Sequence, residues 1–388
     1  MHGKPLIYLD SAATAQKPQI VIDAITNFYQ NDYATVHRAI YQLSAYATTE
    51  YEKTREKARH FLNAAHSKEI IFTRGATDAI NLVAHSFGEA FVGPGDEIII
   101  SEMEHHSNIV PWQMLCQAKG AVLKIIPIDD TATLNMEEYG KLLCSKTKLV
   151  AISHIANSTG TCNPIKKIIQ MAHQVKAKVL VDGAQAAPHI AVDVQKLDAD
   201  FYVFSGHKIY GPTGIGILYG KKELLEQMPP YQGGGDMIET VTFEKTTYNQ
   251  LPLKFEAGTP QIAEVIGLGA AIDYLLSIGL EGIHEWEEGL VNHATSLVKN
   301  IPGIRVISNA VEKGAILTFS FDKVHPLDIG TLLDLQGVAI RTGHLCAQPT
   351  MRHFGITAAC RASFGLYNTM EEVELFASAL QKVIKKLT

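Results

Sequence analysis

Short apolar runs of strand length, each closed by a polar residue, recur between residues 69 and 220 and alternate with stretches of helical spacing. The clearest are Ile70-Ile71-Phe72-Thr73, Ile98-Ile99-Ile100-Ser101, Leu149-Val150-Ala151-Ile152, Val179-Leu180-Val181-Asp182 and Phe201-Tyr202-Val203-Phe204-Ser205. Such alternation predicts an α/β layer fold built on a mostly parallel sheet. Ligands in open α/β sheets bind beyond the carboxyl ends of the strands. The polar strand ends, Thr73-Arg74-Gly75, Ser101 through His105, Ser153-His154, Asp182 and Ser205, are therefore expected to converge on one crevice.

The pattern breaks in a Gly/Thr-rich region from Gln232 to Pro260 and resumes as an apolar helix beginning near Gln261. After Gly279 the character changes to α+β, with strands expected around residues 315–319 and 338–341. Val373, Phe376, Ala377, Leu380, Val383 and Ile384 recur at helical spacing in a terminal helix. A chain of 388 residues exceeds the size at which one core usually stops growing. Two domains are expected: a large one over 8–274, and a small one over 275–388 together with 1–7.

Composition narrows the function classes. Apolar residues make up 46% and charged residues 19%, as in a folded globular protein. A net charge of −6 offers no basic face for a phosphate backbone, so nucleic acid is not an expected partner. No apolar stretch reaches membrane-span length and the first residues lack a secretory apolar region, so a cytoplasmic location is expected. Cys116, Cys144, Cys162, Cys346 and Cys360 are odd in number and scattered, and read as free thiols. Asn157-Ser158-Thr159 then has no route to glycosylation, and another use for Asn157 is sought.

Two strand ends carry the strongest chemistry. Asp182 supplies a carboxylate able to pair with a protonated pyridine nitrogen, and Lys208, just past the next strand in Ser205-Gly206-His207-Lys208, supplies an amine able to form a Schiff base with an aldehyde. Gly75-Ala76-Thr77 opens a helical pattern, where small residues and the Thr77 hydroxyl suit a phosphate, with Ser205 and His207 able to complete the cup. Neither a Walker A sequence nor G-x-G-x-x-G is present. His105 can lie flat on a pyridine ring or move protons, and without metal-ligand spacing no metal is expected. In the second domain Cys346, within Gly343-His344-Leu345-Cys346, has the surroundings of an exposed, activated thiolate. Cys116, Cys144, Cys162 and Cys360 read as structural. Arg361 suits a bidentate grip on a substrate carboxylate.

With these motifs on view, the chain from Tyr8-Leu9-Asp10-Ser11-Ala12-Ala13-Thr14 to the terminal helix resembles the class V, fold-type I pyridoxal phosphate enzymes, and more narrowly the group II cysteine desulfurases of the SufS and CsdA kind. The resemblance implies a large domain with a mostly parallel seven-stranded sheet and a smaller α+β C-terminal domain. Lys208 would carry pyridoxal 5′-phosphate, Asp182 would pair with its ring nitrogen, Gln185 would bind its ring hydroxyl, and His105 would stack on the ring. Thr77, Ser205 and His207 would hold the phosphate, joined by Thr259 from the neighbouring subunit of a homodimer. Asn157, Arg341 and Arg361 would bind L-cysteine, and Cys346 would accept its sulfur and pass it to a SufE/CsdE-like acceptor protein for iron–sulfur or related sulfur metabolism, leaving L-alanine. A selenocysteine lyase is the nearest alternative, followed by a kynureninase-like hydrolase or a class V aminotransferase. Two departures stand out: Ala76, where many relatives have Thr, and an abbreviated leading helix.

Overall fold

A computed structural model describes residues 2–307 and 309–388. Met1, counted above with the small domain, lies outside them. Seven strands, β1 (Ile70–Thr73), β2 (Glu97–Ser101), β3 (Val122–Ile126), β4 (Thr147–Ser153), β5 (Lys178–Asp182), β6 (Phe201–Ser205) and β7 (Gly216–Gly220), form one sheet. Their order is β1-β7-β6-β5-β4-β2-β3. Strands β2 to β6 run parallel, whereas β7 is antiparallel to both β6 and β1.

The consecutive apolar residues of each run serve two cores, because successive strand side chains point to opposite faces. Ile99, Val150, Ile152, Val179 and Val181 enter one cluster with helices α1 (Gln42–Leu62), α4 (Ile165–Gln174) and α5 (Ile262–Ile278). Ile98, Ile100, Leu149, Ala151 and Leu180 enter the other, with α2 (Ala76–Phe91) and α3 (Val110–Lys119). Covering both faces with helices leaves the carboxyl ends of β2, β4, β5 and β6 as a polar rim.

At the antiparallel insertion the backbones touch. A Cβ on Gly216 would lie 2.5 Å from Gly75 Cα and 2.7 Å from Phe204 O. Since both obstacles are main chain, Gly216→Ala is expected to push the Gly75 turn off β7 at a cost of about 1–3 kcal/mol. A lowered denaturant midpoint with unchanged slope would report it.

A second, four-stranded antiparallel sheet is built from β8 (Ile304–Val306), β9 (Ile316–Phe321), β10 (Arg341–Gly343) and β11 (Ala359–Ser363), in the order β8-β9-β11-β10. It packs on α6 (Leu280–Val298) and α7 (Met370–Leu387) around Leu290, Phe319, Cys360 and Phe376. The amino-terminal segment joins this part: Ile7–Tyr8 pairs parallel with Val338–Ala339, Asp10 bridges Ser363, and Ile7 and Leu9 enter the same core. Residue 274 falls inside α5, and the continuous helix breaks only at Gly279, which has φ 93°. Among the described residues no single helix is long and apolar enough to cross a membrane.

Candidate active site

The polar rim and the second sheet enclose a cleft of about 450 Å³. Thr77, His105, Asn157, Asp182, Gln185, Ser205, His207, Lys208, Arg341, Cys346 and Arg361 all line it. Thr259 does not: it sits exposed in the loop before α5, away from the cleft of its own chain.

Asp182, the last residue of the buried strand β5, points its carboxylate into the cleft floor. Ala184 N donates to its Oδ1 at 3.0 Å, while burial raises its pKa. Lys208 ends the short turn that follows β6. Burial pulls its amine down to about 8, with the nearby Asp182 carboxylate opposing that shift. The adjacent His207 carbonyl accepts from Lys17 Nζ at 2.8 Å, which fixes the turn from below. Ser205 Oγ accepts from Ala76 N at 2.9 Å, tying the end of β6 to the first turn of α2, where Ala76 and Thr77 line the cleft. Gln185 Nε2 donates to Ala12 O at 2.7 Å, and its buried Oε1 has no partner.

His105 caps a short turn, and Ser107 N donates to its Nδ1 at 3.1 Å, which puts the ring proton on Nε2. Burial, followed by the positive Lys208, lowers its pKa to about 3, so the ring is neutral near pH 7. His207 is lowered to about 4, again chiefly by burial. Beneath this turn, Glu104 is fully buried and accepts from Ser101 Oγ at 2.5 Å, Asn108 Nδ2 at 2.7 Å and Ser153 N at 3.1 Å. Desolvation raises it to about 7.

The second sheet sends in two arginines side by side. Arg341 on β10 is the register partner of Arg361 on β11, an arrangement of like charges that costs energy unless neutralised. Asp10 neutralises it, with its oxygens 2.7 Å from Arg341 Nη2 and 3.3 Å from Arg361 Nη2. Sequence reasoning passed over Asp10, whose only signal was its place at the end of the Tyr8-Leu9 run. Arg361 Nη1 donates to Asn157 O at 3.0 Å, and its buried Nε has no partner. Alternation along β11 separates neighbours: Arg361 faces the cleft and Cys360 faces the small core.

Cys346 is exposed at the cleft wall, whereas Cys116 and Cys360 are buried. Burial raises Cys360 to about 12 and Cys162 to about 11, so neither is a thiolate near neutrality. Cys144 and Cys162 are only partly buried, and neither lines the cleft. His106, His344 and Cys346 have ligand atoms within 4.8 Å of one another. One nitrogen of each imidazole accepts a backbone N–H, at 3.1 Å in both cases. Lys208 and Arg361 line the same cleft as Cys346.

A doubly covered sheet with a buried carboxylate and a depressed lysine at its carboxyl edge defines a class, and the chain belongs to the class-V aminotransferase family, whose profile matches residues 7–376. Within that family it is similar to proteins named cysteine desulfurase. One from Shigella flexneri is 52% identical over 388 residues, covering 100% of this chain and 95% of the relative. One from Synechococcus elongatus is 50% identical over 383 residues, covering 99% of this chain, which spans only 61% of that longer relative. Among solved structures, the Escherichia coli cysteine desulfurase CsdA matches with TM-score 0.93 and 41% identity over 99% of this chain and 96% of that one.

Proposed function

We propose that the protein is a pyridoxal 5′-phosphate-dependent cysteine desulfurase that converts L-cysteine to L-alanine and takes the sulfur onto Cys346. One observation carries the reading: the exposed Cys346 thiol, the buried Asp182 and the half-buried Lys208 line the same cleft. The donor set fits the cofactor. Asp182 would pair with the ring nitrogen, the free Oε1 of Gln185 with the ring hydroxyl as its hydrogen-bond acceptor, and the α2 amides with Thr77, Ser205 and His207 would hold the phosphate. Bound there, the cofactor supplies an electron sink for carbon–sulfur cleavage.

The chain's own residues supply binding, proton movement and the nucleophile. Asn157, Arg341 and Arg361 hold the amino acid, with the unpartnered Arg361 Nε left for its carboxylate. Lys208, held near 8, binds the cofactor and moves the Cα proton. The neutral His105 presents Nε2–H to the cleft and serves as a proton carrier. Cys346 Sγ attacks the substrate sulfur, the Cβ–S bond breaks, and a persulfide is left on Cys346.

Further parts of the reading concern assembly. The chain divides into large and small domains near Gly279, and two copies form a homodimer in which Thr259 reaches the neighbouring phosphate site. The exposure of Thr259 outside its own chain's cleft supports this arrangement. A SufE/CsdE-like acceptor collects the sulfur in the cytoplasm for iron–sulfur cluster assembly. Incubation with L-cysteine should give alanine and protein-bound sulfane sulfur in equal amounts in the first turnover. Alanine from L-selenocysteine alone would favour a selenocysteine lyase instead.

Arg361→Lys should retain cofactor but lose about 10–100-fold in kcat/KM for L-cysteine, because a charged hydrogen bond is worth about 1.5–3 kcal/mol and Lys cannot hold Asp10 and Asn157 O while also presenting an Nε–H. Unchanged steady-state kinetics would remove Arg361 from the substrate site.

A further inference from the structure

Cys346 sits on backbone that needs to be held. Leu345 and Cys346 are consecutive non-glycine residues in the left-handed region, with φ 54° and 53°. That conformation is costly for side chains carrying a Cβ and persists only when its surroundings impose it. His106, which lies outside the cleft lining, is the principal restraint from the large domain. Its peptide N–H donates to Cys346 O at 2.8 Å, and its ring Nε2 accepts from Gln348 N at 3.1 Å. The two bonds bracket the nucleophile, one at its own carbonyl and one two residues on. Asn157 Nδ2 adds a third, to Leu345 O at 2.7 Å. On the outer side, Cys346 N donates to His344 Nδ1 at 3.1 Å, and the His344 ring lies 5.4 Å from that of His106 at 35°.

His106 is itself immobilised. It opens the turn His106–Asn108, whose last residue is pinned by buried Glu104 and by Trp112 Nε1, which donates to Asn108 Oδ1 at 2.9 Å. Its neighbour His105 faces the cleft, so one rigid turn presents one imidazole to the reaction space and the next to the nucleophile loop.

We propose that His106 is a positioning residue for Cys346, whose neutral ring clamps the 345–348 backbone and so aims the thiol into the cleft. The consequence for catalysis rests on the desulfurase reading, whereas the clamp itself does not. His106→Leu removes the ring acceptor and keeps the peptide N–H, and His106→Gln restores an acceptor near the position of Nε2.

In the cofactor-loaded protein without substrate, amide hydrogen exchange over residues 345–348 should speed up about tenfold in His106→Leu, the scale of one lost hydrogen bond, and return toward wild type in His106→Gln. Single-turnover persulfide formation should fall by a similar factor in the Leu variant and recover in the Gln variant. The L-cysteine concentration that half-saturates the absorbance change should stay within about twofold throughout, because substrate binding is not what His106 serves. Unchanged exchange in His106→Leu overturns the clamp, and so does a loss of substrate saturation parallel to the persulfide loss that Gln fails to rescue. If wild type forms no persulfide at all, the desulfurase reading fails while the exchange result still decides the clamp.

Discussion

Cys346→Ala is expected to abolish persulfide formation and to lower L-cysteine-dependent alanine production by at least about a thousandfold, the order observed when a nucleophile is removed from an otherwise intact site. No other cysteine can replace it. Cys116 and Cys360 are buried, Cys360 and Cys162 are held as thiols by desolvation, and neither Cys144 nor Cys162 lines the cleft. Asp182, Lys208 and Arg361 are untouched by the change, so addition of L-cysteine should still perturb the cofactor absorbance. Stopped-flow absorbance and alanine quantification together separate the two steps. Alanine formation within about tenfold of wild type would show that sulfur leaves without the Cys346 thiol.

Lys208→Ala should lose the borohydride-reducible attachment of cofactor and reduce turnover by about 10²–10⁴-fold, the usual value of a positioned proton-transfer group. Reduction of wild type followed by peptide mapping should find the cofactor on Lys208. Lys17 is the informative rival, since burial also lowers its amine to about 8. Its Nζ, however, donates to Ala15 O at 2.6 Å and His207 O at 2.8 Å, so it is spent on the backbone below the turn. Cofactor trapped on Lys17 would contradict the assignment.

The site was legible where it is local to strand ends. Apolar runs closing on Asp182 and Ser205, followed by Lys208, announce their direction because a parallel strand delivers its last residue to the ligand edge. Features made by distant pairings were not. Strand β7 inserts antiparallel between β1 and β6, which no local pattern encodes, and edge strand β3 is only partly buried although four of its five residues are apolar. Asp10 matters because register sets Arg341 beside Arg361, some 330 residues away in sequence, and His106 matters because its turn meets the Cys346 loop. Neither contact follows from spacing. The resemblance to cysteine desulfurases carried the remaining roles onto residues that line one cleft, except Thr259, which is exposed outside it.

The most direct test is a single turnover. The purified protein, mixed with one equivalent of L-cysteine, alkylated and digested, should carry the mass of one extra sulfur on the peptide containing Cys346, with one alanine released per sulfur bound. Extra sulfur on the Cys360 peptide, or alanine released with no sulfur on any cysteine, would contradict the account.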